Sequence, residues 1–241
     1  MELIRIFLNL VFPRRCYICG KLINTDKGLC ADCCSDIKFI GKPFCSKCGK
    51  PFLNALTFEG VEEPICLNCR EKKLYFEYAR SLGAYDGVLK DCIHLVKYKG
   101  KRIILNDIAG LARDQLKDLF GLEKISFILP VPLHKKRLRE RGFNQSGLFA
   151  NLLGNIYSIP VNENALSRIS FSVPQTKLGS KERAKNIEGA FCAEDIRSIE
   201  NSNILLIDDV YTTGSTVNEC AKVLKRAKAS NVYVFTIAHA V

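Results

Sequence analysis

From residue 78 onward, short apolar runs alternate with stretches of helical period. The runs Tyr78–Tyr85, Phe127–Val131, 203–208 and 231–238 predict strands. Within the third, Ile204, Leu205, Leu206 and Ile207 follow one another without a polar break, as a strand covered on both faces requires. Periodic spacing predicts helices from Gly87 to about Lys97, through Ile104, Ile108, Leu111, Leu116 and Leu119, near 134–140, from Gln145 to about Asn155, and over 214–228. Tyr98–Arg102 reads as a turn, and shorter strands are expected near 165–169 and 188–193. Strand and helix in alternation predict an α/β fold on a mostly parallel sheet.

Asp208 and Asp209 stand where the 203–208 strand is expected to end. Thr212, Thr213, Gly214, Ser215 and Thr216 follow and open the next helix. In an open α/β sheet, ligands bind beyond the carboxyl ends of the strands. The first N–H groups of a helix are unpaired and its dipole favours an anion, so the hydroxyl-rich loop suits a phosphate. The acidic pair cannot serve that phosphate and suits neutral hydroxyls or a metal carried with the ligand. A phosphorylated sugar meets both demands.

Two more segments carry charge in suggestive places. Lys135, Lys136, Arg137, Arg139 and Arg141 crowd seven positions just after the Phe127–Val131 run, where a pyrophosphate or a nucleic-acid backbone would find bidentate donors. The polar stretch 175–186 has the composition of a lid over a site, with Gln175, Lys181, Arg183 and Asn186 as its ligand candidates.

The front third has a different texture. Of twelve cysteines, eight form four C-x-x-C pairs: Cys16/Cys19, Cys30/Cys33, Cys45/Cys48 and Cys66/Cys69. Two residues between thiols let one tight turn aim both at a single metal, so the four pairs predict two closed, structural zinc sites. Pairing in sequence order and an interleaved arrangement are both compatible with the spacing. Disulfides do not suit a chain without an export signal, and redox chemistry calls for one such motif rather than four. Cys34, Cys92, Cys192 and Cys220 remain and are expected as small buried apolar residues. The join near 70–76 divides the chain into a zinc-ribbon unit, 1–74, and an α/β body, 75–241.

The formal charge of +11 favours polyanionic partners. Eight thiolates with two Zn²⁺ ions would remove four of those charges and leave roughly +7. Leu3, Ile4, Phe7, Leu8 and Val11 lie at helical spacing beside Glu2 and Arg5, which predicts a short amphipathic helix rather than a membrane span. A cytoplasmic location is expected.

These motifs together carry a resemblance. The stretch Asn203–Thr216 resembles the phosphoribosyl-pyrophosphate (PRPP) signature of type I phosphoribosyltransferases. The whole chain is similar to the ComF family of competence proteins, through Leu10–Cys16 and the first cysteine pairs, Pro43–Gly49, the Lys97–Arg102 turn, Pro130–Leu133, Arg141–Gln145, Gln175-Thr176 with Arg183 and Asn186, and Asp208–Thr216. The resemblance implies a type I phosphoribosyltransferase-like sheet behind a double zinc ribbon. It implies that Asp208 and Asp209 bind ribose hydroxyls, that Thr212–Thr216 binds the 5′-phosphate, and that Mg²⁺ bridges ribose and pyrophosphate oxygens. The pyrophosphate would face the basic loop at Lys135, Lys136, Arg137, Arg139 and Arg141. It further implies a part in DNA uptake and natural transformation, with single-stranded DNA and DNA-uptake or recombination proteins as partners. The alternative is an active transferase of nucleotide salvage or biosynthesis, moving ribose 5-phosphate to a base or amine.

Overall fold

The computed structural model describes residues 13–52, 63–170 and 187–241. The expected helix at Leu3–Val11 and the lid candidates Gln175, Lys181, Arg183 and Asn186 lie outside the described residues. In chain order the elements are α1 (Ala31–Ser35), α2 (Leu67–Glu71), β1 (Ala79–Ala84), α3 (Gly87–Lys99), α4 (Ile104–Leu119), β2 (Phe127–Pro130), α5 (Lys135–Arg141), α6 (Gln145–Tyr157), β3 (Leu166–Arg168), β4 (Phe191–Ala193), α7 (Ile196–Ile199), β5 (Asn203–Tyr211), α8 (Ser215–Arg226) and β6 (Asn231–His239). Four strands form a parallel sheet in the order β1-β6-β5-β2, while β3 and β4 make a separate antiparallel pair.

The unbroken apolar run of β5 is explained by what covers it. Leu205 and Ile207 point with Phe235 and Ile237 into one core, which α3, α4 and α6 complete. Ile204 and Leu206 point with Val232 and Val234 into a second core under α8 and the β3–β4 pair. Both faces of the central strands are therefore buried, so no polar alternation survives.

The two cysteine clusters divide between these faces. Cys16, Leu29, Cys30, Cys33 and Ile37 join the first core, whereas Cys45 and Cys48 join the second. The chain between them runs along the free edge of β1. Ala84 donates its N–H to the Lys38 carbonyl at 2.9 Å, Ile40 to that of Leu82 at 3.2 Å, and Ala79 to that of Lys47 at 2.7 Å. Gly83 is required there, because a Cβ would stand 2.8 Å from the Lys38 carbonyl oxygen. The other edge, β2, is covered in parallel by the segment around Val161: the Ile128 N–H donates to the Pro160 carbonyl at 2.8 Å, and the Asn162 N–H donates to the Ile128 carbonyl at 2.9 Å.

One strand end differs from expectation. β5 does not stop at Asp208 but runs to Tyr211, because it keeps pairing with β6 through Asp208↔Thr236, Val210↔Ala238 and Tyr211↔His239. Its other neighbour, β2, stops opposite Ile207. The acidic pair thus lies inside β5 yet just beyond the end of β2. The helices after β2 and β5 pack on opposite faces. That divergence makes the β2–β5 boundary the point where a crevice opens in an α/β sheet.

Candidate functional site

Asp209 is buried, with 6% of its surface exposed. Its Oδ2 accepts from the Lys97 ammonium at 2.8 Å and from the Gln145 side-chain amide at 2.6 Å. Gln145 in turn accepts through Oε1 from the Arg141 guanidinium. Asp208 Oδ1 accepts from the Ser146 hydroxyl at 3.1 Å and from the Asp209 N–H at 2.9 Å. Burial, and then the negative charge of Asp209, push the Asp208 carboxyl up to about 7.

The sequence Arg141-Gly-Phe-Asn-Gln145 folds as it does for local reasons. Gly142 takes the left-handed conformation (φ 76°) that closes α5. Asn144 then caps α6 by accepting from the Ser146 N–H, while its amide donates to the Val131 carbonyl and ties the cap to the end of β2. Gln145 and Ser146, the first two residues of α6, are thereby aimed at the acidic pair. Lys97 arrives from the last turn of α3.

On the other side of the crevice, the loop Thr212–Thr216 leads from β5 into α8. Gly214 has φ 74° and sits against the Tyr211 ring, where a Cβ would collide with the phenol oxygen. Only glycine satisfies both the backbone and the contact. Thr213 Oγ1 lies 2.9 Å from Ser215 Oγ and accepts from the Ser215 N–H at 3.4 Å. Tyr211 stacks on His239 at 4.7 Å, which fixes the base of the loop.

Of the basic cluster, Arg141 joins the hydrogen-bonded network of the acidic pair through Gln145. Lys135, Lys136 and Arg139 are exposed on α5, and Arg137 is half-buried on the side of Arg168. Arg168, from β3, feels the charges of both Arg137 and Asp208, and burial followed by Arg137 lowers its pKa. Lys97, Gln145 and Ser146 are thus site residues that the strand-end pattern alone does not reveal. For Gln145 the signal was the Arg141–Gln145 motif, and for Lys97 the Lys97–Arg102 turn.

The pH dependence of Asp208 has a definite sign. Because its folded value lies above the unfolded one, the folded state holds an extra proton between about pH 4 and 7. The stability so gained is complete below about pH 4 and is lost as pH rises through 7. Asp208→Asn should therefore melt higher than the parent at pH 8, by on the order of 2 kcal/mol, with the gap closing toward pH 5. Urea midpoints at the two pH values measure it, and a gap that does not change with pH refutes it.

The zinc expectation meets a geometric test. In each of two groups, Cys16/Cys19/Cys30/Cys33 and Cys45/Cys48/Cys66/Cys69, the four sulfurs lie within 4.8 Å of one another. A tetrahedral site with Zn–S bonds of about 2.3 Å has S···S edges of about 3.8 Å. Cys19 and Cys30 are 3.6 Å apart, and Cys48 and Cys66 are 3.7 Å apart. Pairing thus follows sequence order. The two ribbons repeat one construction: Gly20 and Gly49 have φ 75° and 74°, and each returns its N–H to the first cysteine's carbonyl at 2.9 Å. Of the remaining cysteines, Cys92 and Cys220 are buried as expected. Cys34 is only partly covered, and Cys192 is exposed on β4, contrary to expectation, since that short outer pair covers only one of its faces.

The chain thus sets an α/β body with a sheet-end crevice behind two Cys₄ ribbons. The double zinc ribbon domain family matches residues 7–70. Competence protein F of Haemophilus influenzae is 30% identical over 234 residues, which covers 95% of this chain and 98% of that protein. Competence protein ComFC of Bacillus subtilis is 30% identical over 223 residues, covering 90% and 86%. DNA utilization protein YhgH of Salmonella typhi is 28% identical over 235 residues, covering 95% and 98%. The chain belongs to the ComF family. Among solved structures, the glutamine PRPP amidotransferase from B. subtilis overlays 56% of this chain and 26% of its own, at 15% identity and a TM-score of 0.37. Among the described residues no helix is long and apolar enough to cross a membrane.

Proposed function

We propose that this protein binds PRPP with Mg²⁺ and acts in the cytoplasm in DNA uptake and utilization, with single-stranded DNA as its macromolecular partner. One observation carries the ligand: an acidic pair at the β2–β5 crevice, Asp208 partly buried and Asp209 buried, stands beside a helix-opening loop of hydroxyls and N–H groups at the end of one strand. Asp208 and Asp209 would receive the ribose 2′ and 3′ hydroxyls. The Thr212–Thr216 loop and the start of α8 would receive the 5′-phosphate. Arg141 stands on the side where a pyrophosphate would extend. The carboxylates and the Ser146 hydroxyl are hard oxygen donors, a set that suits a ligand arriving with Mg²⁺. The names of the relatives, competence proteins and DNA utilization proteins, support the DNA role. DNA-uptake or recombination proteins are the further partners this role implies.

Calorimetric titration tests the ligand. PRPP with Mg²⁺ should bind the zinc-loaded protein, and the Asp208→Asn/Asp209→Asn variant should bind at least about tenfold more weakly, the loss of one or two charge-assisted hydrogen bonds. Equal binding by both proteins would refute the assignment. Release of pyrophosphate on adding a base or amine would extend the function to a transferase; a silent panel would leave ligand binding as the role of the fold.

A further inference from the structure

We infer that the turn between α3 and α4, together with Tyr17 of the first ribbon, forms the surface that holds single-stranded DNA. The inference rests on the DNA role proposed above and assigns it a place. Tyr98, Lys99, Gly100, Lys101 and Arg102 form this turn, and no acidic residue occurs between Leu95 and Asn106. Gly100, at φ 63°, ends α3 and turns the segment outward. Tyr98 is 68% exposed and Tyr17 41% exposed, a large aromatic area for water to cover.

Residues far apart in sequence are interleaved here. Lys101 Nζ lies 4.8 Å from the centre of the Tyr17 ring, the Arg102 guanidinium 4.3 Å from that of Phe143, and the Arg141 guanidinium 5.8 Å from that of Tyr98. Three cation–ring pairs thus join the first ribbon, the turn and the α5–α6 corner into one patch. On the ribbon side it continues into an open groove of about 930 Å³, lined among others by Arg14, Arg15, Tyr17 and Lys27. On the other side it ends at Arg141, which reaches the acidic pair through Gln145.

Cations set beside the exposed rings of Tyr17 and Tyr98 suit one polymer in particular. Unpaired bases stack on aromatic faces while the phosphates between them meet Lys and Arg, with no dependence on base identity. A duplex hides its base faces inside the stack, and an acidic peptide has no flat rings at each charge. Charge complementarity and ring exposure therefore commit the patch to a single strand.

The test is fluorescence anisotropy of a labelled oligothymidylate with the full-length, zinc-loaded protein over a range of salt. Tyr98→Ala should weaken binding about tenfold, the effect of losing one stacked base, and Tyr98→Phe should not. Lys101→Gln/Arg102→Gln should reduce the slope of log K against log salt by about 1.4, since each phosphate contact on a single strand contributes about 0.7. If that double variant melts early, Lys101→Gln alone should reduce the slope by about 0.7. Lys117→Gln/Lys124→Gln, with the same charge loss elsewhere, should bind like the parent, and PRPP titration should be unchanged throughout. Parental binding with Tyr98→Ala and the turn variants unaffected would overturn the assigned surface and leave the DNA role standing. Equal affinity for a duplex of the same length would overturn the stacking. No binding by the parent protein would overturn both surface and role.

Discussion

Stripping zinc from the protein is expected to unfold its N-terminal third and destabilise the body with it. Among the described residues of the ribbons, the buried apolar side chains are Leu29, Ile37 and cysteines. Binding of a structural zinc ion contributes about 10–16 kcal/mol, which for such a unit is its folding free energy. That is comparable to the typical net stability of a whole domain, about 5–15 kcal/mol. The damage should spread, because Cys16, Cys30 and Cys33 are part of one core of the sheet and Cys45 and Cys48 part of the other. Asp107, on α4, also accepts from the Gly28 and Leu29 N–H groups at 2.7 and 3.0 Å. On α8, Asn218 accepts from Tyr75 and donates to the Lys73 carbonyl, gripping the chain as it leaves the second ribbon. A chelator should therefore lower the melting temperature by more than 10 °C, the shift expected from a loss of several kcal/mol. Cys16→Ser and Cys45→Ser should each reduce the bound zinc from two ions to one. A metal-free protein that melts like the loaded one would refute the structural role of these sites.

Lys97→Ala should be the most damaging single substitution in the crevice. Lys97 and Asp209 have side chains only 18% and 9% exposed. Removing one partner of a buried pair leaves an uncompensated charge, which typically costs about 3–5 kcal/mol. Here the neighbouring Asp208 carboxyl adds repulsion, and only the Gln145 amide remains as a donor to Asp209 Oδ2. Adding Asp209→Asn to Lys97→Ala should restore most of the loss, because the orphaned charge disappears. Chemical denaturation of the parent, the two single variants and the double variant in zinc-replete buffer measures the coupling, expected at about 2 kcal/mol or more. Effects that simply add would show that Lys97 and Asp209 do not depend on each other.

Much of this architecture could be read from the chain because its signals are local. A buried parallel strand shows as an unbroken apolar run, and Ile204–Ile207 did so. Paired thiols show as C-x-x-C because one turn must aim both at one metal. What local pattern does not carry is where neighbouring strands end. The acidic pair was expected at the end of β5, but it faces a crevice because β2 stops first, and that is a property of two strands far apart in sequence, Phe127–Pro130 and Ile204–Ile207. Lys97 was marked only as part of the Lys97–Arg102 turn, and its pairing with Asp209 was not legible, since a lysine in a helix's last turn is ordinarily explained by the helix dipole. Of the five basic residues after β2, Arg141 hydrogen-bonds into the network, while the seven-residue helix α5 turns Lys135, Lys136 and Arg139 outward. The aromatic and basic residues of the α3–α4 turn were visible, but their partners Tyr17 and Phe143 are brought to them only by folding.

The covered sheet edges also bear on how copies of this protein can associate. An open edge strand offers a row of unpaired backbone groups, the usual route to sheet extension between chains. Here β1 is covered by the segment around Lys38–Ile40 and β2 by the segment around Val161. Among the described residues both edges of the parallel sheet are thus covered, so copies of this protein can crowd together without these parallel sheets fusing.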